Sequence, residues 1–249
     1  MQEETELCKL ALKYRSDKCP RRGKHTYTPY YFDIFKNKKA KTKKVLEIGI
    51  GKGASLKMWR DFFPNAQIYG ADYRTDLQIN SERITSFLSD QRRSEHLRHL
   101  ISNIGGDIDI VIEDGSHRPR DQVSTCLTLM PLLQKNVIYV IEDVYDPSIV
   151  ERLNKYYEVE VPPIDQPRER YDNRLVVVRH KPPPINLSFF AKDPYRVGHD
   201  RHLGRVSSII RGQQIAHHVD AKLNPGEGYE NDVCIYVKPP WKSGDDFKF

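Results

Sequence analysis

Carboxylate side chains and one histidine follow two apolar segments that are typical of buried strands. Asp114 and His117 follow the segment DIDIVIE, and Glu142 and Asp143 follow VIYVI. The carboxyl ends of parallel strands meet at one edge of a sheet, so we expect these groups to converge. Without a Lys or Arg partner, such a cluster favours a bound cation, and oxygen ligands suit Mg²⁺ or Mn²⁺. The alternative is a solvated strand end with a loop histidine.

His117 lies three residues after Asp114, beyond a glycine. Beside a cation and a reacting hydroxyl, its imidazole is the first candidate for a general base. Tyr145 and Asp146 directly follow the acidic pair and are the next candidates.

A glycine turn follows the first apolar segment, with Glu47 inside the segment and Gly49, Gly51 and Gly53 behind it. Such glycines let the main chain approach a ligand and place helix N–H groups beside it. The turn also occurs in dinucleotide-binding folds and can exist without any ligand. Glu47 favours S-adenosylmethionine, because a carboxylate would repel a pyrophosphate but attract the ammonium group of that cofactor.

Further polar residues end the next two predicted strands. Asp72 and Tyr73 end one of them, and Asp72 could accept hydrogen bonds from ribose hydroxyls. Asp90 and Gln91 end the other and could contact an adenine amino group. Asp90 is equally well suited to be the N-cap of the following helix.

Apolar strands alternate with amphipathic helical segments from Lys44 onward. This order predicts an α/β fold, Rossmann-like and doubly wound, with a mostly parallel seven-stranded sheet and helices on both faces. We expect an N-terminal helical cap in residues 1–43 and the main domain in residues 44–181. Residues 182–249 form a C-terminal appendage, with a helix in HLGRVSSIIRGQQIAHHV and a strand in NDVCIYVKPP.

The 249 residues carry a net charge of +6, and residues 1–44 hold 13 Lys or Arg against five Asp or Glu. This basic segment could bind nucleic acid. However, no aromatic residue lies within the run from Lys36 to Lys44, which favours a solvated segment that simply precedes the first buried strand. No apolar run is long enough to span a membrane, and the acidic start does not resemble a secretory signal. Four scattered cysteines are typical of reduced thiols. We therefore expect a soluble cytoplasmic protein.

The combination VLEIGIGKGASLKMWRDFFPNAQIYGADYR, SDQ, EDGSH and YVIED resembles class I S-adenosylmethionine-dependent methyltransferases. Within that class it is similar to the metal-dependent sugar O-methyltransferases that act on mycinamicin and tetracenomycin sugars. The resemblance runs from about Tyr14 to Val178 and includes the motifs SDK and HTYTPYY. It implies a metal site of Asp114, Glu142 and Asp143 with His117 as base. It also implies a cofactor site at Glu47, Gly49, Gly51, Asp72, Asp90 and Gln91.

The loop after the first helix is rich in hydrogen-bond donors. We expect it to fold over the cofactor, with Lys18, Tyr27 and Thr28 near the methionine end or the acceptor entrance. Val144 to Pro147 leads straight into a helix, whereas the family has a longer aromatic and glycine-rich loop there that shapes the acceptor site.

The leading hypothesis is methyl transfer from S-adenosylmethionine to a sugar hydroxyl, for example of a deoxyhexose such as rhamnose on a glycan. A catechol-type O-methyltransferase is the alternative among enzymes, because it also uses a metal ion to bind two vicinal oxygens. A nucleic-acid methyltransferase and a non-catalytic module in glycan assembly are weaker alternatives. A homo-oligomer is compatible with the unassigned tail.

Overall fold

The protein is described here by a computed structural model. It covers residues 4–22, 24–165 and 172–182 in full, together with the backbone of three strands between residues 198 and 218. The chain divides into two compact units, Met1–Lys181 and Pro182–Phe249. Residues 1–43 belong to the first unit, and their role as a helical cap stays a prediction.

The first unit is built on a mostly parallel sheet of eight strands in the order β3-β4-β2-β1-β5-β6-β8-β7. The four central pairings are parallel, whereas β3, β7 and β8 pair antiparallel with their neighbours. The strands are β1 Lys44–Ile48, β2 Gln67–Asp72, β3 Asn80–Ser81, β4 Ile84–Leu88, β5 Ile110–Glu113, β6 Ile138–Ile141, β7 Glu158–Glu160 and β8 Val176–Arg179. The predicted α/β fold is confirmed, and the eighth strand is the two-residue β3 at the sheet edge.

Six α-helices of the described chain cover this sheet. They are α1 Glu6–Tyr14, α2 Tyr27–Phe35, α3 Ala54–Phe62, α4 Ser94–Ile104, α5 Pro119–Leu129 and α6 Ser148–Asn154. Thr5 is the N-cap of α1, and its hydroxyl accepts a hydrogen bond from the Cys8 N–H at 3.2 Å. Among the described residues, none of the helices combines the length and the apolar character that crossing a bilayer requires.

The core consists of two apolar layers, one on each face of the sheet. On β1, Val45 packs with side chains of α1, α2 and α3, while Leu46 and Ile48 pack with α4, α5 and α6. Successive strand residues point to opposite faces, so a central parallel strand needs apolar residues at every position. The exception in β1 is Glu47, which is fully buried and faces the α3 side through its contact with Ser55.

Helix α4 begins later than expected. Its N-cap residue is Arg93, without a side-chain cap, and Asp90 instead accepts hydrogen bonds from the N–H and guanidinium of Arg92. The predicted N-cap role of Asp90 is therefore wrong, because Asp90 stabilises the turn before the helix. At α6, Asp146 does accept from the Ser148 N–H at 2.9 Å, although the N-cap position itself is Pro147.

The second unit contains β9 Gly198–Asp200, β10 Arg205–Ile210 and β11 Gln213–His218, in an antiparallel sheet. The helix predicted over this stretch is wrong. Val206, Ile209, Ile210 and Ile215 are β-branched, and only two residues, one of them Gly212, link the paired Ile210 and Gln213. These features favour a tight hairpin. The strand predicted in residues 231–240 lies outside the described residues.

Candidate active site

The glycine turn after β1 brings three strand ends into direct contact. The Gly49 N–H donates to the Ala71 carbonyl at the end of β2, and the Asp114 N–H donates to the Ile48 carbonyl. Gly49 has φ +82°, and a Cβ atom there would lie 2.0 Å from the Asp114 carbonyl oxygen. Only glycine fits, because both the left-handed backbone and the close approach exclude a side chain.

A cavity of about 340 Å³ opens at the carboxyl ends of β1, β2, β4 and β5. Five predicted cofactor-binding residues line it, namely Gly49, Asp72, Tyr73, Asp90 and Gln91. Its further lining includes Ser89, Arg92, Gly115, Ser116, Arg118 and Asp121, to which the sequence analysis had given no role. A strand end followed by a polar residue is the pattern that could have indicated Ser89 and Ser116.

Asp72 is held in place by the main chain. Its two carboxylate oxygens accept hydrogen bonds from the N–H groups of Ile50 at 3.1 Å and Arg74 at 3.0 Å. Each oxygen retains a lone pair that could accept from a ribose hydroxyl. Ser89 also faces this cavity, and its buried hydroxyl has no hydrogen-bond partner among the described residues. An orphaned polar atom in a cavity wall is the mark of a surface that receives a polar ligand.

Gln91 lines the cavity, but its amide is fully used within the protein. Its Nε2 donates to Glu113 Oε1 at 2.7 Å and to Thr125 Oγ1 at 3.2 Å, and its Oε1 accepts from the Ser116 N–H. Burial raises the pKa of Glu113 to about 7. Gln91 therefore shapes the loop after β5, and its direct contact with adenine stays a prediction.

The other five predicted cofactor residues are not among the residues that line this cavity. Among the described residues, Glu47, Lys18, Tyr27 and Thr28 are buried and are not part of the cavity lining. Thr28 contacts the Cys8 thiol at 3.1 Å, between α1 and α2. Gly51 is exposed, and a Cβ there would meet nothing within 4 Å. The expectation that the loop before α2 covers the cofactor stays a prediction.

Glu47 is an interior carboxylate. Ser55 Oγ donates to its Oε2 at 2.7 Å, and Lys18 Nζ lies 3.7 Å from its Oε1. Burial raises the pKa of Glu47 to about 7, although Lys18 opposes that shift. Its predicted meeting with the cofactor ammonium does not match this buried position, because β1 carries the side chain toward α3 instead of the cavity.

The acidic residues after β5 and β6 do converge with His117. One ligand atom each of Asp114, His117 and Asp143 lies within 4.8 Å of the other two. His117 Nε2 is 3.9 Å from Asp143 Oδ2. His117 and Asp143 have φ of +57° and +54°. Non-glycine residues rarely adopt this conformation, and such strain is concentrated at functional sites.

A buried lysine neutralises part of this cluster, contrary to the expectation that it has no internal cationic partner. Lys18 Nζ lies 2.6 Å from Asp114 Oδ2 and 2.5 Å from Glu142 Oε2. Burial alone would lower the pKa of Lys18, but Asp114, Glu142 and Glu47 raise it well above its usual range. Sequence reasoning missed the pairing because Lys18 precedes Glu142 by 124 residues.

Two tyrosines of α2 complete the surroundings of the acidic pair. Tyr27 OH donates to Asp143 Oδ1 and Tyr31 OH donates to Glu142 Oε1, both at 2.6 Å. Tyr27, which was predicted to lie near the methionine end of the cofactor or the acceptor entrance, contacts the acidic cluster in the structure. Tyr31 had no assigned role, although its spacing of four residues from Tyr27 places both rings on one helix face.

The donor set fits a divalent metal ion. Asp114 and Asp143 supply hard oxygen ligands, and the His117 imidazole lies close enough to them to act as a base beside the ion. Glu142, the third predicted ligand, is adjacent but is held by Lys18 and Tyr31. Gly115 and Ser116, which separate Asp114 from His117, line the cavity described above. The candidate metal site and the candidate cofactor cavity are therefore neighbours.

The fold is that of the methyltransferases. The structure of MycE methyltransferase from the mycinamycin biosynthetic pathway, in complex with Mg and S-adenosylhomocysteine (SAH), superposes with a TM-score of 0.60. The match has 25% sequence identity and covers 72% of this chain and 55% of that chain. No protein-family model matches the sequence.

In sequence, part of the chain is similar to sugar O-methyltransferases. It is 36% identical over 147 residues to 8-demethyl-8-(2-methoxy-alpha-L-rhamnosyl)-tetracenomycin-C 3'-O-methyltransferase of Streptomyces olivaceus. It is likewise 36% identical over 128 residues to mycinamicin VI 2''-O-methyltransferase of Micromonospora griseorubida. The matches cover 56% and 49% of this chain, and 37% and 32% of those relatives. The chain thus matches about a third of each relative's length.

Proposed function

We propose that the protein is a metal-dependent O-methyltransferase that transfers the methyl group of S-adenosylmethionine to a sugar hydroxyl. The observation that carries this proposal is the position of Asp114, His117 and Asp143 directly beside the cavity lined by Gly49 and Asp72. The relatives named for methylation of rhamnosyl and mycinamicin sugars support a deoxyhexose acceptor.

The position of each residue in the site suggests its role in cofactor binding, metal binding or proton transfer. Asp72 binds the ribose hydroxyls, and the Gly49 turn lets the cofactor approach the main chain. Asp114 and Asp143 would hold Mg²⁺ or Mn²⁺ and so orient the acceptor, with Glu142 adjacent to them. When bound, the divalent ion supplies Lewis acidity that makes a hydroxyl proton easier to remove. His117 Nε2 accepts that proton, and the methyl group passes from the cofactor sulfur to the hydroxyl oxygen.

Asp114→Asn is expected to abolish both Mn²⁺ binding and methyl transfer, because it removes a charged oxygen ligand. The affinity for S-adenosylhomocysteine, measured by calorimetry, should change little, since the cavity keeps its lining. Transfer is assayed with labelled cofactor on deoxyhexose glycosides, with catechols as competing acceptors. Asp76→Asn, on an exposed carboxylate paired with Arg74, is the matched control. Full transfer by chelator-treated protein would refute the metal role.

His117→Ala is expected to lower turnover about 10²- to 10⁴-fold, the usual effect of losing a general base. Cofactor and metal affinities should stay within a few fold if proton removal is its main task. The measurement is single-turnover transfer at saturating cofactor and metal. Near-normal turnover would instead assign the base to another group, with Tyr145 and Asp146 next in line.

A cytoplasmic location belongs to this proposal as well. Cys8, Cys19 and Cys126 are buried free thiols, which is compatible with a reducing compartment. A homo-oligomer stays a prediction.

A further inference from the structure

Lys18 is a buried cationic side chain at the acidic cluster, with 2% of its surface exposed. Its ammonium group contacts Asp114 and Glu142 and lies 3.7 Å from Glu47. A fully buried ammonium is costly unless carboxylates surround it closely, as they do here. The site therefore carries a cation of its own, contributed by a segment remote in sequence from the strands that carry the acids.

Each carboxylate oxygen of Glu142 already has a donor. Lys18 occupies Oε2 and Tyr31 OH occupies Oε1 at 2.6 Å, and the side chain is almost completely buried. Asp114 differs, because Lys18 contacts only its Oδ2 and the side chain is partly exposed. A divalent ion could therefore reach Asp114 and Asp143 more readily than Glu142, which is almost completely buried against Lys18 and Tyr31.

We propose that Lys18 is an internal counter-cation that competes with the divalent metal ion for Asp114 and Glu142, and so sets the metal affinity of the site. The proposal rests on the proposed function only in taking this cluster to be a metal site. Metal entry exchanges the ammonium for the ion at Glu142, and Lys18 limits how tightly the ion is held.

Electrostatics gives the direction of the effect. A divalent ion and an ammonium within a few ångströms repel each other strongly in a poorly solvated interior. Both are attracted to the same carboxylates, so each weakens the binding of the other. Replacing Lys18 by a neutral residue of similar length removes the competitor and leaves the carboxylates in place.

The main chain around Lys18 permits this exchange. The Lys18 carbonyl accepts hydrogen bonds from the N–H groups of Tyr27 and Thr28 at the start of α2, at 3.0 and 3.1 Å. The backbone is therefore fixed independently of the ammonium. The flexible four-carbon side chain can swing away from Glu142 without unfolding the segment.

The test is Mn²⁺ binding, without cofactor or acceptor, to the full chain and to Lys18→Met, measured by calorimetry and by electron paramagnetic resonance at pH 8. We expect Lys18→Met to bind Mn²⁺ about tenfold more tightly or better. Its melting temperature without metal should be lower than that of the unaltered protein, and saturating Mn²⁺ should raise it by a larger increment. Lys24→Met, on an exposed lysine, should leave all these values unchanged.

Two further variants keep the test decisive. Lys18→Gln is neutral and should also bind Mn²⁺ more tightly, whereas Lys18→Arg keeps the charge and should not. If the neutral variants fold only when Mn²⁺ is added, the ion is replacing the ammonium, as proposed. Unchanged or weaker Mn²⁺ binding by folded Lys18→Met, or failure to fold even with Mn²⁺, would overturn the proposal.

The proposal for Lys18 and the proposed function can be refuted independently of each other. Metal-dependent transfer with equal Mn²⁺ affinities would remove only the role of Lys18. Tighter Mn²⁺ binding by the neutral variants, without transfer to any sugar, would remove only the sugar O-methyltransferase assignment. If neither the unaltered protein nor the variants bound Mn²⁺, the proposal for Lys18 would be wrong.

Discussion

Gly49 is the residue at which the cofactor cavity and the acidic cluster touch. Its Cα packs against the main chain of Asp114 and Gly115, and its φ of +82° is unfavourable for any residue with a side chain. The nearby Gly51 also has a positive φ, +45°, but has open space around it. Substitutions at these two glycines therefore distinguish the cost of steric overlap from the cost of backbone strain.

Gly49→Ala is expected to lower the free energy of unfolding by about 3 kcal/mol or more, because the methyl group would overlap main-chain atoms that cannot move aside. It should also displace Asp114 and weaken Mn²⁺ binding. Gly51→Ala should cost about 1 kcal/mol, from strain alone. Denaturant unfolding of both variants measures the difference. Equal losses would contradict the close approach of Gly49 to Asp114.

Helices α1 and α3 are joined by a polar cluster around Asp61. The Asp61 carboxylate accepts hydrogen bonds from Tyr14 OH, from Lys13 Nζ at 2.9 Å and from the Arg60 guanidinium at 2.8 Å. Burial works in the opposite direction, but these three donors lower the pKa of Asp61 well below its ordinary value of 3.8. The cluster anchors α1, which precedes the segment that carries Lys18.

Asp61→Asn should therefore destabilise the protein at pH 7 by about 1–2 kcal/mol, which is below the usual range for hydrogen bonds to a charged group because the carboxylate is partly exposed to solvent. The folded-state pKa lies below the unfolded one, so the stabilisation is present above about pH 4 and is lost as the pH falls further. The difference in unfolding free energy between the two proteins should shrink between pH 4 and pH 2. A difference independent of pH would contradict a role for the carboxylate charge.

The first unit contains a complete sheet within residues 1–181. Strand β8 ends at Arg179, and the division between the two units follows Lys181. On this basis we propose that residues 1–181 form a self-sufficient folding unit that includes both candidate sites. The role of residues 182–249 is then additional to cofactor and metal binding.

A protein ending at Lys181 is expected to unfold cooperatively and to bind S-adenosylhomocysteine and Mn²⁺ with the affinities of the full chain. A protein ending at Pro163 should not fold stably, because it lacks β8, whose Val176, Val177 and Val178 are fully buried beside β6. Thermal unfolding followed by circular dichroism distinguishes the two. Loss of the cooperative transition in the longer protein would show that the first unit depends on the second.

Local patterns in the sequence were sufficient for the central strands, the glycine turn and the acidic strand ends. The apolar run of β1 followed by Gly49 specifies a buried strand and a turn through residues close in sequence. Parallel pairing then brings the ends of β5 and β6 together, so the neighbourhood of Asp114, His117 and Asp143 could be predicted. The helix predicted over residues 202–219 was wrong because a short apolar stretch is compatible with the periodicity of a helix and with that of a strand. Only the pairing between strands distinguishes these two structures.

Tertiary structure alone decided the partners of the acidic residues. Lys18, Tyr27 and Tyr31 reach Asp143 and Glu142 from more than 100 residues away in sequence, through the packing of α2 against the sheet. The same packing turned Glu47 toward Lys18 and Ser55 instead of the cavity. The hydrophobic periodicity of the sequence predicts that a carboxylate lies at the end of a strand. Which cation neutralises it depends on which distant segment packs over that strand end.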